Sequence, residues 1–326
     1  TFKLATNNTI TSADIRIGDG SGNTDTHLLT LGSGTNVFNA NTMNIGSAVA
    51  TIRSGGSVIF DGADTTGQFT LRASDGTSRA TLNMINTTGN TAGNMDAILN
   101  LAGHTADILA STLTLATRST GTGAASATLA FDQGTLDVTT LNMASRTGAG
   151  TGAGTAIVNL GDSAAVGTPT VTIGTVNMAV NTSAGGAVEA DLNITGGNVT
   201  IGTGSGTAIN MANAGTGRTV TSDITLTGGT IEVTGNIVRT GGAGTENATI
   251  TLNGANLDVN GNELGASLKT ITLAAQSGTL TGLGQLNSGG VLDKTTAGVL
   301  NMGDGNTYTG GTTVTGGTLL ASNTTG

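Results

Sequence analysis

Four oxygen-bearing residues near the start of the chain are spaced as in a calcium-binding loop. They are Asp19, Ser21, Asn23 and Asp25. A donor at every second position is how the first ligands of an EF-hand loop are arranged. Two further requirements are missing, because Thr24 stands where the loop needs glycine and Thr30 stands where it needs a bidentate glutamate. We therefore expect these polar residues simply to form a turn, with calcium binding as the weaker alternative.

Carboxylates could also support glycoside hydrolysis, which needs two acids about 5–10 Å apart. Residues 23–25, Asn-Thr-Asp, resemble one motif of the β-helical polygalacturonases, but the companion Asp-Asp and Gly-His-Gly motifs of that family do not occur here. The other acids are dispersed along the chain, and a lone acid on a strand is expected to face solvent. We therefore expect no catalytic residue, and a β-helical polysaccharide-processing enzyme is the alternative.

Two histidines and a set of paired threonines complete the candidates for chemistry. His27 and His104 are far apart and have no acidic pair nearby, so we expect them on strand or turn surfaces rather than at a metal. Thr-x-Thr pairs could bind ice if they stacked in register, as similar arrays do in β-helical antifreeze proteins. Threonine is also simply a favoured outward residue of strands. The pairs are Thr170/Thr172, Thr225/Thr227, Thr249/Thr251, Thr270/Thr272, Thr279/Thr281 and Thr313/Thr315.

Composition excludes several classes of protein. The 326 residues include 55 Gly, 1 Pro, no Cys and no Trp, and only 10% are charged. The lack of cysteine excludes disulfides, thiolate zinc sites and cysteine nucleophiles. The net charge is −9 and the 11 basic residues are scattered, so nothing could neutralise a row of phosphates and no nucleic-acid partner is expected. No stretch approaches about 18 consecutive apolar residues, so no membrane-spanning segment is expected, and no motif indicates a cofactor.

The sequence predicts that short strands position the candidate side chains. Apolar residues alternate with Thr, Asn or Asp over four to six positions and are then interrupted by glycine, as in residues 135–138, 222–226 and 248–252. No linker or shift in composition divides the chain, so residues 1–326 are predicted to be a single all-β unit. The chain opens at Thr1 and ends in a polar run, which favours a piece of a longer protein.

The strands recur as a unit of irregular length. Residues 194–201, 226–233 and 252–259 share one pattern, namely a strand end, a glycine-containing corner and a new strand. Repeats of about 20–30 residues with variable spacing are typical of solenoids. We therefore predict a parallel β-helix of roughly 13–14 rungs, with about 24 residues in each. Scarce proline fits strands that are paired on both sides, and glycine and asparagine are expected at the corners.

The expected core is aliphatic and thin. An apolar residue followed by Asn and Met recurs at residues 82–84, 141–143, 176–178, 209–211 and 300–302, and we interpret these methionines as core filler. All five phenylalanines lie within the first 131 residues. The N-terminal half is therefore expected to have wider or less regular rungs.

The segment 292–321 carries a more specific pattern. It resembles the passenger-associated β-strand repeat of bacterial autotransporters, whose pattern is a Lys-Thr-Gly-x-Gly-x-Leu strand, then Asn-Thr-Tyr-x-Gly, then a strand ending in Gly-Thr-Leu. The departures are Thr296 and Asp304, where that family usually has glycine. The matching residues are Lys294, Gly298, Leu300, Asn306, Thr307, Tyr308, Gly310, Thr312, Val314, Gly317, Thr318 and Leu319.

This resemblance covers about a tenth of the chain and concerns the passenger alone. It implies a right-handed β-helix, exported by type V secretion to the bacterial cell surface. Together with the lack of catalytic motifs, it predicts an extracellular structural or adhesive rod or fibre segment. The open ends of a solenoid are unpaired strand edges, so self-association or contact with neighbouring segments of the same chain is expected. Surface glycans are a further candidate partner, and a glycan-binding module would need an exposed aromatic platform, from Tyr308 or the phenylalanines.

Overall fold

The protein is described by a computed structural model that covers residues 1–18, 26–49, 52–62, 66–88, 92–161, 168–182 and 185–322. These ranges contain strands and turns and no helix, so nothing helical in them has the length and apolarity to cross a membrane. The strands are β1 (Phe2–Lys3), β2 (Asn8–Ile17), β3 (Thr26–Leu31), β4 (Thr35–Ile45), β5 (Ser47–Val49), β6 (Ile52–Phe60), β7 (Gln68–Arg72), β8 (Ala80–Thr87), β9 (Met95–Asn100), β10 (Thr105–Arg118), β11 (Ala125–Phe131), β12 (Gln133–Arg146), β13 (Gly154–Leu160), β14 (Thr170–Asn181), β15 (Val188–Ile194), β16 (Asn198–Ile201), β17 (Thr207–Ala214), β18 (Thr219–Leu226), β19 (Thr230–Val233), β20 (Asn236–Arg239), β21 (Thr245–Asp258), β22 (Glu263–Leu264), β23 (Thr272–Thr281), β24 (Gln285–Leu286), β25 (Leu292–Lys294), β26 (Val299–Met302), β27 (Thr312–Val314) and β28 (Thr318–Ala321).

Most of these strands stack in three parallel columns, whereas β5 pairs antiparallel with β6. The first face contains β1, β3, β6, β9, β11, β13, β15, β18 and the first parts of β21 and β23. The second face contains the first parts of β2, β4, β10, β12 and β14, with β7, β16, β19, the ends of β21 and β23, β26 and β28. The third face contains the ends of β2, β4, β10, β12 and β14, with β8, β17, β20, β22 and β24. The predicted all-β parallel solenoid is confirmed.

The register confirms the repeat that the sequence predicts. Ile194 pairs with Leu226, which pairs with Leu252, so the three aligned segments occupy equivalent levels. Rung length differs from the expectation of about 24 residues: Val158 pairs with Leu192, 34 positions later. In the described residues the first face holds ten strands, and β25 and β27 add two levels, which is fewer than the predicted 13–14 rungs. The central rungs are longer than those near the C-terminus, where Leu292 pairs with Thr312, 20 positions later.

One aliphatic ladder fills the interior behind the first face. It is formed by Leu99, Leu129, Val158, Leu192 and Ile224, which pair rung to rung and are all at most 3% exposed. Burial of each such side chain contributes about 1.5–3 kcal/mol. The methionines of the Asn-Met phrase are buried as well, so their interpretation as core filler is confirmed.

Aromatic residues pack within the N-terminal half of this interior. The rings of Phe38 and Phe69 lie 5.3 Å apart, and both side chains are buried. The expectation that both histidines lie on the surface is wrong for His104, which is buried and stacks on Phe60 with ring centroids 3.8 Å apart. An imidazole ring can take a place in the stack because its apolar face packs like that of a phenyl ring. His27 lies on β3 and is half-buried.

Cationic side chains also occupy the interior, which the sequence pattern does not indicate. Arg118 and Arg146 are fully buried, and Nη1 of Arg118 and Nη2 of Arg146 donate to the same carbonyl oxygen, that of Gly123, at 3.0 and 2.8 Å. Burial and the charge of Arg118 lower the pKa of Arg146 to about 10, so Arg146 stays protonated at neutral pH. Lys294 is buried too, and its Nζ donates to the carbonyl oxygen of Thr296. These donors satisfy turn carbonyls that no ladder strand reaches.

Candidate functional site

The sequence-derived site candidates fall in different parts of the molecule. The calcium-loop residues Asp19, Ser21, Asn23 and Asp25 lie outside the described residues. In the parts of the chain that the structure describes, no three His, Asp or Glu side chains are grouped so as to hold a metal ion.

The residues of the passenger-repeat pattern form turns and rung contacts rather than a cleft. The amide of Asn306 accepts from the backbone N–H of Leu283 at 2.9 Å and donates to the carbonyl oxygen of Gly303 at 2.7 Å. Tyr308 packs against the core, and its hydroxyl is hydrogen-bonded to that of Thr312. These contacts join one rung to the next and bring together no set of reactive groups.

Acids do meet on neighbouring rungs at one position of the first face. Asp191 and Asp223 are register partners on β15 and β18, and both are half-buried. Burial, with the charges of Glu189 and Asp223, raises the pKa of Asp191 to about 6. The register partners of these two acids on the outer rungs are Ile157 and Thr249. The pair has no basic neighbour in register, and neither acid lines the concavity on the third face that is described below.

Replacing Asp191 with asparagine is expected to stabilise the protein at pH 7. The pKa of Asp191 is higher in the folded chain than its usual value of 3.8, so its contribution to the free energy of unfolding is present below about pH 4 and is lost as pH rises through about 6. With solvent screening taken into account, D191N should raise the free energy of unfolding by about 1 kcal/mol at pH 7 and leave it nearly unchanged at pH 4. Denaturant melts at the two pH values measure this difference.

Asp223 provides the matched control for that experiment. D223N removes one of the charges that raise the pKa of Asp191. It should therefore stabilise the protein at pH 7 less than D191N does. The pH at which the remaining Asp191 reduces the free energy of unfolding should move down. A loss of stability at pH 7 in D191N would contradict the raised pKa of Asp191 in the folded protein.

A second acid lies among cations at the corner that follows β20. The side chain of Glu246 is 3% exposed; its Oε1 accepts from the backbone N–H of Ala214 at 2.9 Å, and its Oε2 lies 3.3 Å from Nε of Arg239. Lys269 lies 3.8 Å from the same oxygen and donates to the carbonyl oxygen of Gly242. Because Glu246 is enclosed and bonded to the backbone, it fastens the turn rather than presenting a carboxylate to a substrate.

Two of the Thr-x-Thr pairs in the centre of the chain do not continue onto both neighbouring rungs. Thr170 lies between Thr135 and Asn198, while Thr172 lies between Asp137 and Thr200. Thr249 lies between Asp223 and Thr272, while Thr251 lies between Thr225 and Ala274. An ice-binding face needs threonine at the same two positions on successive rungs, and neither pair has that on both sides.

A concavity runs along the bend of the third face. Its volume is about 540 Å³. One wall is a column of outward residues, Thr114, Asn142, Asn177 and Asn210, which are consecutive register partners. The other wall is the parallel column Thr117, Ser145, Val180 and Asn213. We call this feature the amide groove; it starts at Asn86 and ends at Thr240.

Left-handed alanines form the bend between the two walls. Ala116, Ala144, Ala179 and Ala212 have φ between 48° and 52°, and Ile85 takes the same place one rung earlier with φ 60°. This conformation costs a residue other than glycine about 1–2 kcal/mol. Its recurrence on five rungs shows that the stacked side chains of the interior enforce it. The chain therefore keeps a strained corner that holds the two polar columns on either side of the bend.

The signal for this groove is present in the sequence, but the Asn-Met pattern alone does not reveal it. Three of the Asn-Met phrases continue with alanine, at residues 142–144, 177–179 and 210–212. The phrase identifies the methionines as core residues and says nothing about the outward asparagines or the alanines. Left-handed corners are normally glycine or asparagine, so nothing in alanine's own propensity marks these positions.

The asparagines of the groove are bonded to one another. Nδ2 of Asn177 donates to Oδ1 of Asn142 at 2.9 Å, and Nδ2 of Asn210 donates to Oδ1 of Asn177 at 2.8 Å. Every lining residue is uncharged. The groove is therefore a fixed row of amide and hydroxyl groups without an acid, a base or a nucleophile, and it is suited to binding rather than to covalent chemistry. In comparisons with known proteins, no family model, no curated protein and no solved structure matches this chain.

Proposed function

We propose that this chain is a non-catalytic, extracellular β-helical rod that serves as a structural or adhesive segment at a bacterial cell surface. The observation that carries the proposal is the stack of parallel strands, whose three faces enclose a continuous apolar core. Such a ladder resists bending and proteolysis because local opening of one rung breaks hydrogen bonds to two neighbours. The pattern at residues 292–321 supports the passenger segment of an autotransporter as the type of surface protein.

The chemistry of the described residues supports a rod without catalysis. Among the acids with unusual surroundings, Asp191 lies beside Asp223, Glu246 contacts the backbone and two cations, and the buried Asp132 accepts from the backbone N–H of Gly103. None of these acids lines the amide groove. A polysaccharide-processing enzyme would need two carboxylates that face a substrate-sized cleft.

Surface labelling of the native cells tests this proposal. Antibodies raised against residues 92–161 should label intact cells, and gold particles in electron micrographs should lie outside the envelope. Brief protease treatment should leave the folded segment as a resistant band, because its strands are paired on both sides. Labelling that appears only after the cells are permeabilised would overturn the extracellular assignment.

Assays with the purified protein test the absence of catalysis. We expect no reducing ends to be released from neutral or acidic polysaccharides, and the same result for the D191N and D223N variants. Release of reducing ends by the wild type that disappears in D191N would favour the enzyme instead.

A further inference from the structure

We propose that the amide groove binds an extended, uncharged polysaccharide that lies along the axis of the rod. The inference rests on the proposed adhesive function and names the class of molecule that this surface would hold. Four properties of the groove lead to it: spare hydrogen-bonding capacity, the absence of charge, the repeat length and rigidity.

The stacked amides retain groups that a ligand could use. A side-chain amide has two N–H donors and an oxygen with two lone pairs. Asn177 uses one donor toward Asn142 and one lone pair toward Asn210, so one of each remains. The same count leaves Asn142 and Asn210 with unused donors and acceptors. A ligand made of hydroxyl groups matches this mixture of unused donors and acceptors, because each hydroxyl group can both donate and accept.

One hydroxyl of the groove has no partner among the described residues. Oγ1 of Thr117 is enclosed and makes no hydrogen bond, although Thr117 lines the groove. An unsatisfied buried hydroxyl is unfavourable because it has given up its hydrogen bonds to water. Rotation about χ1 of Thr117 would turn this hydroxyl into the groove, where a hydrogen bond to a sugar hydroxyl would remove that cost on binding.

Charge decides which polymer fits. The groove lining contains no charged residue, and the chain as a whole carries −9. Acidic polysaccharides and nucleic acids would meet repulsion without any basic contact to offset it. A basic peptide would find no carboxylate in the groove, and an apolar peptide would leave the amides unpaired.

Length and rigidity favour a regular polymer over a small molecule. The groove passes over six successive rungs, from Asn86 to Thr240, so it is about 24 Å long at a spacing of about 4.8 Å per rung. That spacing is comparable with one pyranose unit of an extended chain, so about four or five sugars would each meet one level of the ladder. Because the amides hold each other in place, little side-chain freedom is lost on binding.

The groove offers no aromatic platform, so affinity must come from hydrogen bonds. Phe38, Phe69 and Phe131 are buried in the core, and the exposed Phe2 does not line the groove. The groove therefore lacks the aromatic platform that the glycan-binding alternative would need, and binding through amides predicts moderate affinity for each site and dependence on chain length.

Calorimetry with oligosaccharides of one length tests this inference. The probes are the neutral hexamers of β-1,4-linked glucose, mannose and N-acetylglucosamine, and the acidic hexamer of galacturonic acid. We expect at least one neutral hexamer to bind at least tenfold more tightly than the acidic one and than its own trimer. Failure of all three neutral hexamers to bind, or preference for the acidic hexamer, would overturn the proposal.

Two variants locate the binding. T117V removes the unpartnered hydroxyl at constant shape, so it should keep or raise stability while weakening the neutral hexamer at least threefold. N177L should weaken it at least tenfold. Its matched control is N193L, because Nδ2 of Asn193 donates to Oδ1 of Asn159 at 2.9 Å in an equivalent amide pair on the first face, outside the groove.

The control separates binding from stability. N193L should destabilise the fold as much as N177L and leave the affinity within twofold of wild type. Equal weakening by N177L and N193L, or unchanged binding in T117V and N177L, would overturn the groove as the site. Surface labelling of cells does not depend on this result, so failure here and failure of the proposed function are distinguishable.

Discussion

Removal of one complete rung, residues 159–192, is expected to give a shorter but cooperatively folded rod. This excision joins Val158 to Asn193, and Val158 and Leu192 are register partners, so every strand after the junction meets a rung with the same inward and outward pattern. Stability in a solenoid is approximately a sum of rung and interface contributions. The excised protein should therefore unfold in a single transition, with a denaturant m-value reduced in proportion to the surface lost.

Removal of one residue fewer is the matched comparison. Excision of residues 159–191 joins Val158 directly to Leu192, so two inward residues become adjacent on β13. The strand must then form a bulge between two paired neighbours or turn its later side chains to the opposite face. Unpaired backbone groups alone should cost at least about 2–3 kcal/mol relative to the in-register excision. Equal midpoints in urea for the two excisions would show that register does not control the stability of this rod.

The fold could be predicted from sequence because its two determinants are local. Alternation over four to six residues marks a strand with one buried face, and the recurring glycine corner aligns residues 194–201 with 226–233 in the register that the structure shows. The length of the central rungs is harder to predict, because the short spacing near the C-terminus, such as the 20 positions from Leu292 to Thr312, does not extend to them. Insertions at corners do not change the alternation within the strands, so this alternation does not predict how many residues each rung contains.

The interior and the groove could not be predicted in the same way. Arg118, Arg146 and His104 are polar by type, and the fold buries them because turn carbonyls and the Phe60 ring offer partners that only three-dimensional stacking brings near. The left-handed conformation of Ala144 and its equivalents is imposed by the rungs above and below rather than by alanine's own preference. A surface feature that depends on several rungs at once has no signature in any one of them.

Replacing Gly134, the glycine of β12, with alanine is expected to be severely destabilising. Gly134 has φ of 97°, and a Cβ added there would lie 2.1 Å from the carbonyl oxygen of Ala106 on the neighbouring rung. The backbone conformation alone costs about 1–2 kcal/mol for a residue with a Cβ. The clash is with main chain that is itself fixed by the ladder, so relief requires the two rungs to separate. We expect G134A to lower the free energy of unfolding by about 3–4 kcal/mol in urea denaturation, within the range of severe single mutations.

Two other glycines separate the effect of conformation from that of the close approach. Gly103 has a similar φ of 80°, but a Cβ added there would have no atom within 4 Å, and Gly62 has the same open surroundings without the positive φ. G103A should therefore cost only about 1–2 kcal/mol, and G62A should be neutral or slightly stabilising because it restricts the unfolded chain. If G134A cost no more than G103A, the rungs would be able to separate locally, and the stiffness proposed for this rod would be wrong at its centre. The ordering G134A, G103A, G62A, from most to least destabilising, is therefore a test of how tightly successive rungs are held together.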